Sequence, residues 1–283
     1  MNMKTTLFLI LIFFSSSLIA QVFIPREELN WQLFEKNYST EYKMSEIVKI
    51  DHWLVHNFIE YGNLEQYFNN FHFVDYNFNG FDEIIYSGRL PGAEGLYTFI
   101  FEFINGKYIT AFEAEGEIII INSLSGKQPP FSFVLIDLPC CGDYVQVYEI
   151  YHPVFTGEKF ELAASTKYIT IDSVEFPSSF FDSPVLFEVV NEPYHLRSKP
   201  EIDNDSEYIH PSVMGNIIGS YSKGSRGYAF AEKKDDTGRI WWFVAMVNNK
   251  EPLHSVLNRQ FENNINRFHS VGWMSSRFLE IVK

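Results

Sequence analysis

Phe71 to Gly88 reads FHFVDYNFNGFDEIIYSG: two apolar runs separated by a polar loop that carries one glycine. FHFV and EIIY have the length of strands and are rich in aromatic and β-branched residues, which suit a pleated, half-buried surface. The same texture continues downstream. LYTFIFEF, KYITAFEA, EIIIIN, FSFVLID, YVQVYEIYH, FELAAS and KYITIDS follow, punctuated by turn signals such as Asn105-Gly106 and Ser125-Gly126. No helix-length amphipathic segment interrupts them, so the pattern predicts a mainly β, antiparallel fold. The content of 28 Phe, 16 Tyr and 5 Trp points the same way.

Upstream, Met44 to Phe58 (MSEIVKIDHWLVHNF) spaces Ile47, Ile50, Trp53, Leu54 and Phe58 as one helical face, with Ser45 as the expected N-cap. His52 and His56 lie four apart on that helix. Without the glutamate of a metalloprotease motif between them, they read as ordinary helical histidines. Residues 21–43 give no clear pattern. The first twenty residues do: Lys4, the apolar run Leu7–Phe14 and SSSLIA before Gln21 have the layout of a secretory signal peptide cleaved after Ala20. The apolar core is shorter than the ~20 residues needed to span a bilayer. The mature protein is therefore expected to be secreted or periplasmic, with no transmembrane anchor.

The chain carries a net charge of −14, and removing Lys4 with the signal segment makes the balance still more acidic. Such a surface repels phosphate backbones and anionic lipid, which excludes nucleic acid as a partner. A length of 283 residues suits two domains. The turn-rich stretch Pro177–Pro184 marks the expected boundary, between a β domain over 44–184 and a second over 185–283. With two cysteines in all, disulfide scaffolding is not what holds these domains together.

Within the opening stretch, Asp75, Asn77 and Asn79 alternate, Gly80 permits a sharp turn, and Glu83 lies eight residues after Asp75. A hard cation such as Ca²⁺ takes about six to eight oxygens. Asp75, Asn77, Asn79, the carbonyl of Phe81 and Glu83 are the candidate ligands. The loop is not an EF-hand, because its twelfth position is Tyr86 and its flanks read as strands. It resembles the calcium loop of FG-GAP/VCBS repeats, whose pattern is close to D-x-N-x-D-G-x-x-D/E, and departs from it at Asn79. The resemblance implies Ca²⁺ as a cofactor. One charge fewer implies weak affinity, on the order of 10⁻⁴ to 10⁻³ M.

Setting Asp75 on Asp137 places Gly80 on Gly142, Asn79 on Cys141 and Tyr86 on Tyr148, an offset of 62 residues that suits one blade-type repeat. DLPCCGD then reads as a degenerate copy of the cation loop. Its adjacent Cys140 and Cys141 are expected to close a vicinal disulfide in an oxidising compartment. A nucleophilic cysteine calls for an activating base and commonly a helix N-terminus, whereas these residues lead into a strand. No CxxC pair completes a metal set.

The last hundred residues carry a second resemblance. In FEVVNEPYHLRSKPEID, Leu196, Arg197, Ser198 and Pro200 match the opening motif of bacterial SH3 domains. GNIIGSYSKGSRGYAFAEK resembles their strand, Lys-Gly turn and strand. Trp241 and Val244 match a Trp-x-x-Val strand, and GWMSSRFLEIV resembles the terminal Gly-Trp-Val-Ser-x-x-Tyr-Leu motif. The resemblance implies a small SH3-like β-barrel, with Tyr221, Tyr228, Trp241 and Trp273 as ligand-binding candidates. Glu251–His269 reads as an insertion, part helical, and a further departure lies near Tyr208–Ser212. From Ile240 to Val247 both alternating faces are apolar, so one is expected to fill the barrel and the other to meet a neighbouring domain or a ligand.

Neither HExxH, G-x-S-x-G, a P-loop nor a dinucleotide fingerprint occurs. Together with the two binding-type resemblances, this predicts a non-catalytic protein of the cell envelope that recognises peptidoglycan or a protein partner. The rivals are a wall hydrolase using Cys140 or Cys141 and an inhibitor or immunity-type protein.

Overall fold

The computed structural model describes residues 29–61, 64–93, 95–123, 131–138, 144–156, 159–206, 214–247, 249–259 and 268–282. The signal segment, Ser125-Gly126, the Cys140–Cys141 pair, the stretch near Tyr208–Ser212 and part of the Glu251–His269 insertion therefore lie outside the described residues. The protein is mainly β, with short helices. It divides into an N-terminal unit, Glu27–Asp143 with Glu149–Ser165, and a C-terminal unit, Tyr144–Tyr148 with Thr166–Lys283. The Pro177–Pro184 stretch lies inside the C-terminal unit. Among the described residues no helix is long and apolar enough to cross a membrane.

In the N-terminal unit, helices α1 (Thr40–Ile47), α2 (Trp53–Glu60) and α3 (Leu64–Tyr67) precede an antiparallel meander. Its strands are β1 (Phe71–Val74), β2 (Glu83–Arg89), β3 (Leu96–Ile104) and β4 (Lys107–Glu115), paired in that order. Asn105 and Gly106 both take positive φ in the β3–β4 turn, as an Asn-Gly hairpin requires. Strands β1 to β3 are buried on both faces, while β4 is exposed or half-buried along its length. Phe71, Phe73, Ile84, Tyr86, Phe99 and Phe101 pack against Leu54, Val55 and Phe58 of α2. Their alternates Val74, Ile85 and Ile100 pack against Ile118 of β5 (Glu117–Ser123) and Phe131, Phe133 and Leu135 of β6 (Phe131–Asp137). This alternation is the strand period of two at work.

The single helix expected from Met44 to Phe58 is two. Ser39, not Ser45, caps α1 by accepting from the Tyr42 N–H, and His52 caps α2 by accepting from the Leu54 N–H through Nδ1. Ile47, Ile50, Leu54 and Phe58 enter one core in spite of the break, which is why their spacing looked continuous. His56 instead lies 3.4 Å from Asp51, so the two histidines do not act as a pair.

Strands β7 (Val145–Thr156) and β8 (Lys159–Ile171) contribute residues to both units; FELAAS and KYITIDS are one strand, since no turn residue separates them. The C-terminal unit adds β9 (Val185–Val189), β10 (Tyr194–Arg197), β11 (Ile217–Tyr221), β12 (Arg226–Lys234), β13 (Ile240–Met246), β14 (His254–Ser255), β15 (Phe268–Ser275) and β16 (Leu279–Ile281). The order β16–β9–β12–β13–β15 is antiparallel throughout, β10 joins β15 to β11, and β11 pairs β14. Among the described residues these pairings do not close into a barrel. Of the insertion, β14 and a 3-10 helix, Val256–Arg259, are described before residues 260–267, which lie outside the described residues.

Candidate functional site

The loop between β1 and β2 is held by its own side chains. Asp75 Oδ2 accepts from the Gly80 N–H (3.1 Å), Asn77 Oδ1 from Asn79 (3.0 Å) and Asn79 Oδ1 from Phe81 (2.8 Å). These local bonds are the turn chemistry for which Asp and Asn are suited. Gly80 sits at φ +88°, and even Phe78 is drawn to φ +67°. Phe81 is largely exposed. Glu83, the last expected ligand, is fully buried; its Oε2 accepts from the Tyr76 N–H at 2.9 Å.

Two oxygens in this loop are buried without a hydrogen-bond partner: Asp75 Oδ1 and Glu83 Oε1. Burial raises the Glu83 carboxyl to about 8, and the nearby Asp75 and Glu102 charges add to the rise while the Tyr76 N–H opposes it. Glu102 is the member that the motif did not disclose. It lies on β3, where the register of Ile84 against Phe101 brings it beside Glu83, and it accepts from Asn77 Nδ2 at 2.6 Å. Burial raises its carboxyl as well. Like charges facing each other across strands are destabilising, and a buried acceptor left unmet costs ~1–3 kcal/mol. The hairpin pairing of DEIIYSG with LYTFIFEF is the sequence signal that could have found it.

The donor set, carboxylate and amide oxygens only, fits a hard cation. No three Asp, Glu, His or Cys side chains among the described residues are grouped as a metal site. The fit therefore rests on the mixed set of Asp75, Asn77, Asn79 and Glu83 with Glu102. Asp82, between them in sequence, turns away: its Oδ1 pairs with Lys36 Nζ at 2.7 Å and its Oδ2 accepts from the Tyr38 hydroxyl.

In the C-terminal unit, three of the four aromatic ligand candidates belong to the core. Trp241, Trp273 and Tyr221 are buried, and Tyr228 alone is exposed. The reason is the segment that leads into and through the expected boundary. Phe176 packs on Phe243, Trp273 Nε1–H donates to the Glu175 carbonyl (2.6 Å), and the Phe181 N–H donates to Phe230 (2.7 Å). The second apolar face of β13, Trp241, Phe243 and Ala245, is thus buried, with Phe176 packed on it.

Arg197 is buried too. Its guanidinium donates to the carbonyl of Asp203 and to Oδ1 of both Asn204 and Asn216, fastening two loop segments together. Its fork geometry makes it the residue for such a job. Beyond it, Lys199, Pro200, Glu201, Lys234, Asp236 and Arg239 line an open cleft of about 670 Å³. Its floor includes the Lys233–Glu175 ion pair. The candidate surface is therefore polar and of mixed charge, where aromatics were expected.

Compared with protein-family models, with curated proteins and with solved structures, the chain matches none.

Proposed function

We propose that the chain is an exported, non-catalytic binding protein of the cell envelope. Its C-terminal unit acts as an SH3-like recognition module for wall peptide, and its N-terminal unit is braced by Ca²⁺ at the β1–β2 loop. The observation that carries the reading is the position of the motif turn. Lys199 and Pro200, which follow the Leu196-Arg197-Ser198 match, form a wall of the open cleft, while Arg197 locks the turn from behind. The motif segments also meet in one set of strands, with Arg197 opposite Trp273 and Trp241 opposite Ser275. A cleft with cations and carboxylates exposed side by side suits a peptide bearing both charges. The two buried, unmet carboxylate oxygens support the calcium assignment.

The test is co-sedimentation of the protein with purified peptidoglycan, with and without Ca²⁺, for the natural sequence and for a Lys199→Glu, Lys234→Glu double variant. Pelleting by the former and loss in the latter are expected. Absence of pelleting by both would shift the reading to a protein partner, as an inhibitor or immunity-type protein would have. Turnover of wall material that Cys140→Ser or Cys141→Ser abolishes would replace it with a hydrolase.

A further inference from the structure

A second, smaller cleft opens in the N-terminal unit, with a volume of about 190 Å³. Its walls are aromatic: Tyr38, Tyr42, Phe81, Phe103 and Tyr108 line it, above the buried Phe73. Tyr42, Phe81 and Phe103 remain exposed. The charged groups among these rings are two carboxylates and the Lys36 ammonium. Asp82, whose side chain is only 6% exposed, binds the Tyr38 hydroxyl, and Glu46 accepts from the Tyr108 hydroxyl at 3.1 Å.

Rings and buried carboxylates together attract cations, the rings through their negative faces. The protein's own lysines already show this preference. Lys36 Nζ reaches Asp82 at 2.7 Å while its side chain stays 54% exposed, Lys49 Nζ pairs with Glu46, and Lys43 Nζ lies 5.5 Å from the centre of the Phe73 ring. Lys36 holds the position inside the cleft by one ion pair whose lysine end is exposed, so solvent screens the contact.

We propose that this cleft is a binding site for an organic ammonium group, which displaces Lys36 from Asp82 and is enclosed by the aromatic rings. A volume of 190 Å³ is below the ~300–1,000 Å³ of sites for drug-sized ligands. The occupant is thus one head group or one side-chain tip. A free quaternary amine and a lysine-type side chain of a peptide share this chemistry.

The experiment is titration calorimetry on the full chain in a calcium-free buffer, with choline, Nα-acetyl-lysine amide and the uncharged choline isostere 3,3-dimethylbutanol as probes. At least one cation binds and the isostere does not. Lys36→Ala removes the internal competitor and tightens binding about fivefold, equivalent to ~1 kcal/mol. Asp82→Asn weakens it by about tenfold or more. The tighter of the two cations identifies the source, free amine or peptide. Because Asp82 also holds Tyr38, its variant is checked for unchanged circular dichroism, and Lys36→Ala serves as the independent arm. Equal binding of the neutral isostere, no cation binding even in Lys36→Ala, or no tightening in that variant would each overturn the assignment.

Discussion

The two units each contain an acid-and-glycine turn between strands, and the two are electrostatic opposites. In DDTGR, Asp235 is saturated with donors. Its Oδ1 accepts from the Thr237 N–H and hydroxyl and from the Arg239 N–H, and its Oδ2 accepts from Trp241 Nε1–H. Those bonds, the Thr237 and Trp241 side chains foremost, hold its carboxyl down to about 2. In DYNFNGFDE, Glu83 has one backbone donor for two oxygens and two acids for neighbours, and it is raised to about 8. An acid that its own turn satisfies is part of the scaffold. An acid left unsatisfied in a buried place needs a proton or a cation from outside, and that difference is what makes the first turn the candidate.

The largest expected effect is on the pH dependence of stability. Glu83 has a folded-state value of about 8 against 4.5 for the free group. The folded protein therefore holds a proton that the unfolded chain releases. Its contribution is fully present below pH 4.5 and is lost as pH rises through 8, a change of roughly 5 kcal/mol at most. In chelator, thermal unfolding midpoints should fall between pH 5 and pH 8, and Ca²⁺ should restore them at pH 8. Glu83→Gln, a mimic of the protonated acid, should flatten the slope and remove the response to Ca²⁺. Equal slopes in both proteins would erase the contrast between the turns.

Asp235 should behave in the reverse sense. Its value is depressed from 3.8, so its contribution is complete above that pH and disappears only as pH falls through about 2. Between pH 5 and 8 it adds no slope. Asp235→Asn should lower the unfolding midpoint at pH 7, because it turns one of the two acceptor oxygens into an NH2 donor facing either the Trp241 N–H or the Thr237 and Arg239 donors. Asp236→Asn, at the exposed neighbouring position, is the control and should change the midpoint far less. Matching losses would show that Asp235 is not the anchor of its turn.

A smaller change concerns the Asn79 position. Asn79→Asp adds a third carboxylate among the alternating loop positions, and ligand charge count tunes calcium affinity. Binding should tighten about tenfold, ~1.4 kcal/mol, when followed by calorimetry. In chelator the same variant should be less stable than the natural sequence, since it adds repulsion to an acid cluster that already raises Glu83. Tightening without that penalty would mean the loop acids are screened from one another.

The strands were legible because their aromatic and β-branched runs are buried on both sides, successive residues packing into opposite layers: Phe71 and Phe73 face the helices, Val74 the opposite layer. What escaped reading depends on partners distant in sequence. Glu102 lies nineteen residues beyond Glu83, and only the β2–β3 register brings them together. Trp241 and Trp273 entered as ligand candidates through the SH3-like motifs, which say nothing of what covers them; Phe176 and the Glu175 carbonyl, just before the Pro177–Pro184 stretch, give them a covered core instead. The turns show the same limit at short range. Both spell acid, polar, glycine, and what separates them is whether a Trp N–H or a second carboxylate arrives from elsewhere in the fold.

The smallest predicted effects isolate that last point. Gly80 and Gly238 take nearly the same conformation, φ +88° and +85°. A methyl group added at Gly80 would meet nothing within 4 Å, and at Gly238 only the Lys234 Cε at 3.6 Å, an ordinary contact. Neither alanine variant therefore meets a steric obstacle, and each bears the same backbone penalty for a left-handed residue, about 1 kcal/mol. Measured by denaturant unfolding in chelator at pH 5, where the Glu83 proton is in place, the two losses should be equal. At pH 8 with Ca²⁺, Gly80→Ala should also weaken calcium binding, while Gly238→Ala should not respond to the ion at all. Equal losses at pH 5 would locate the whole difference between the turns in their acids; a much larger loss at Gly80 would mean that the first loop is strained before any ion or proton reaches it.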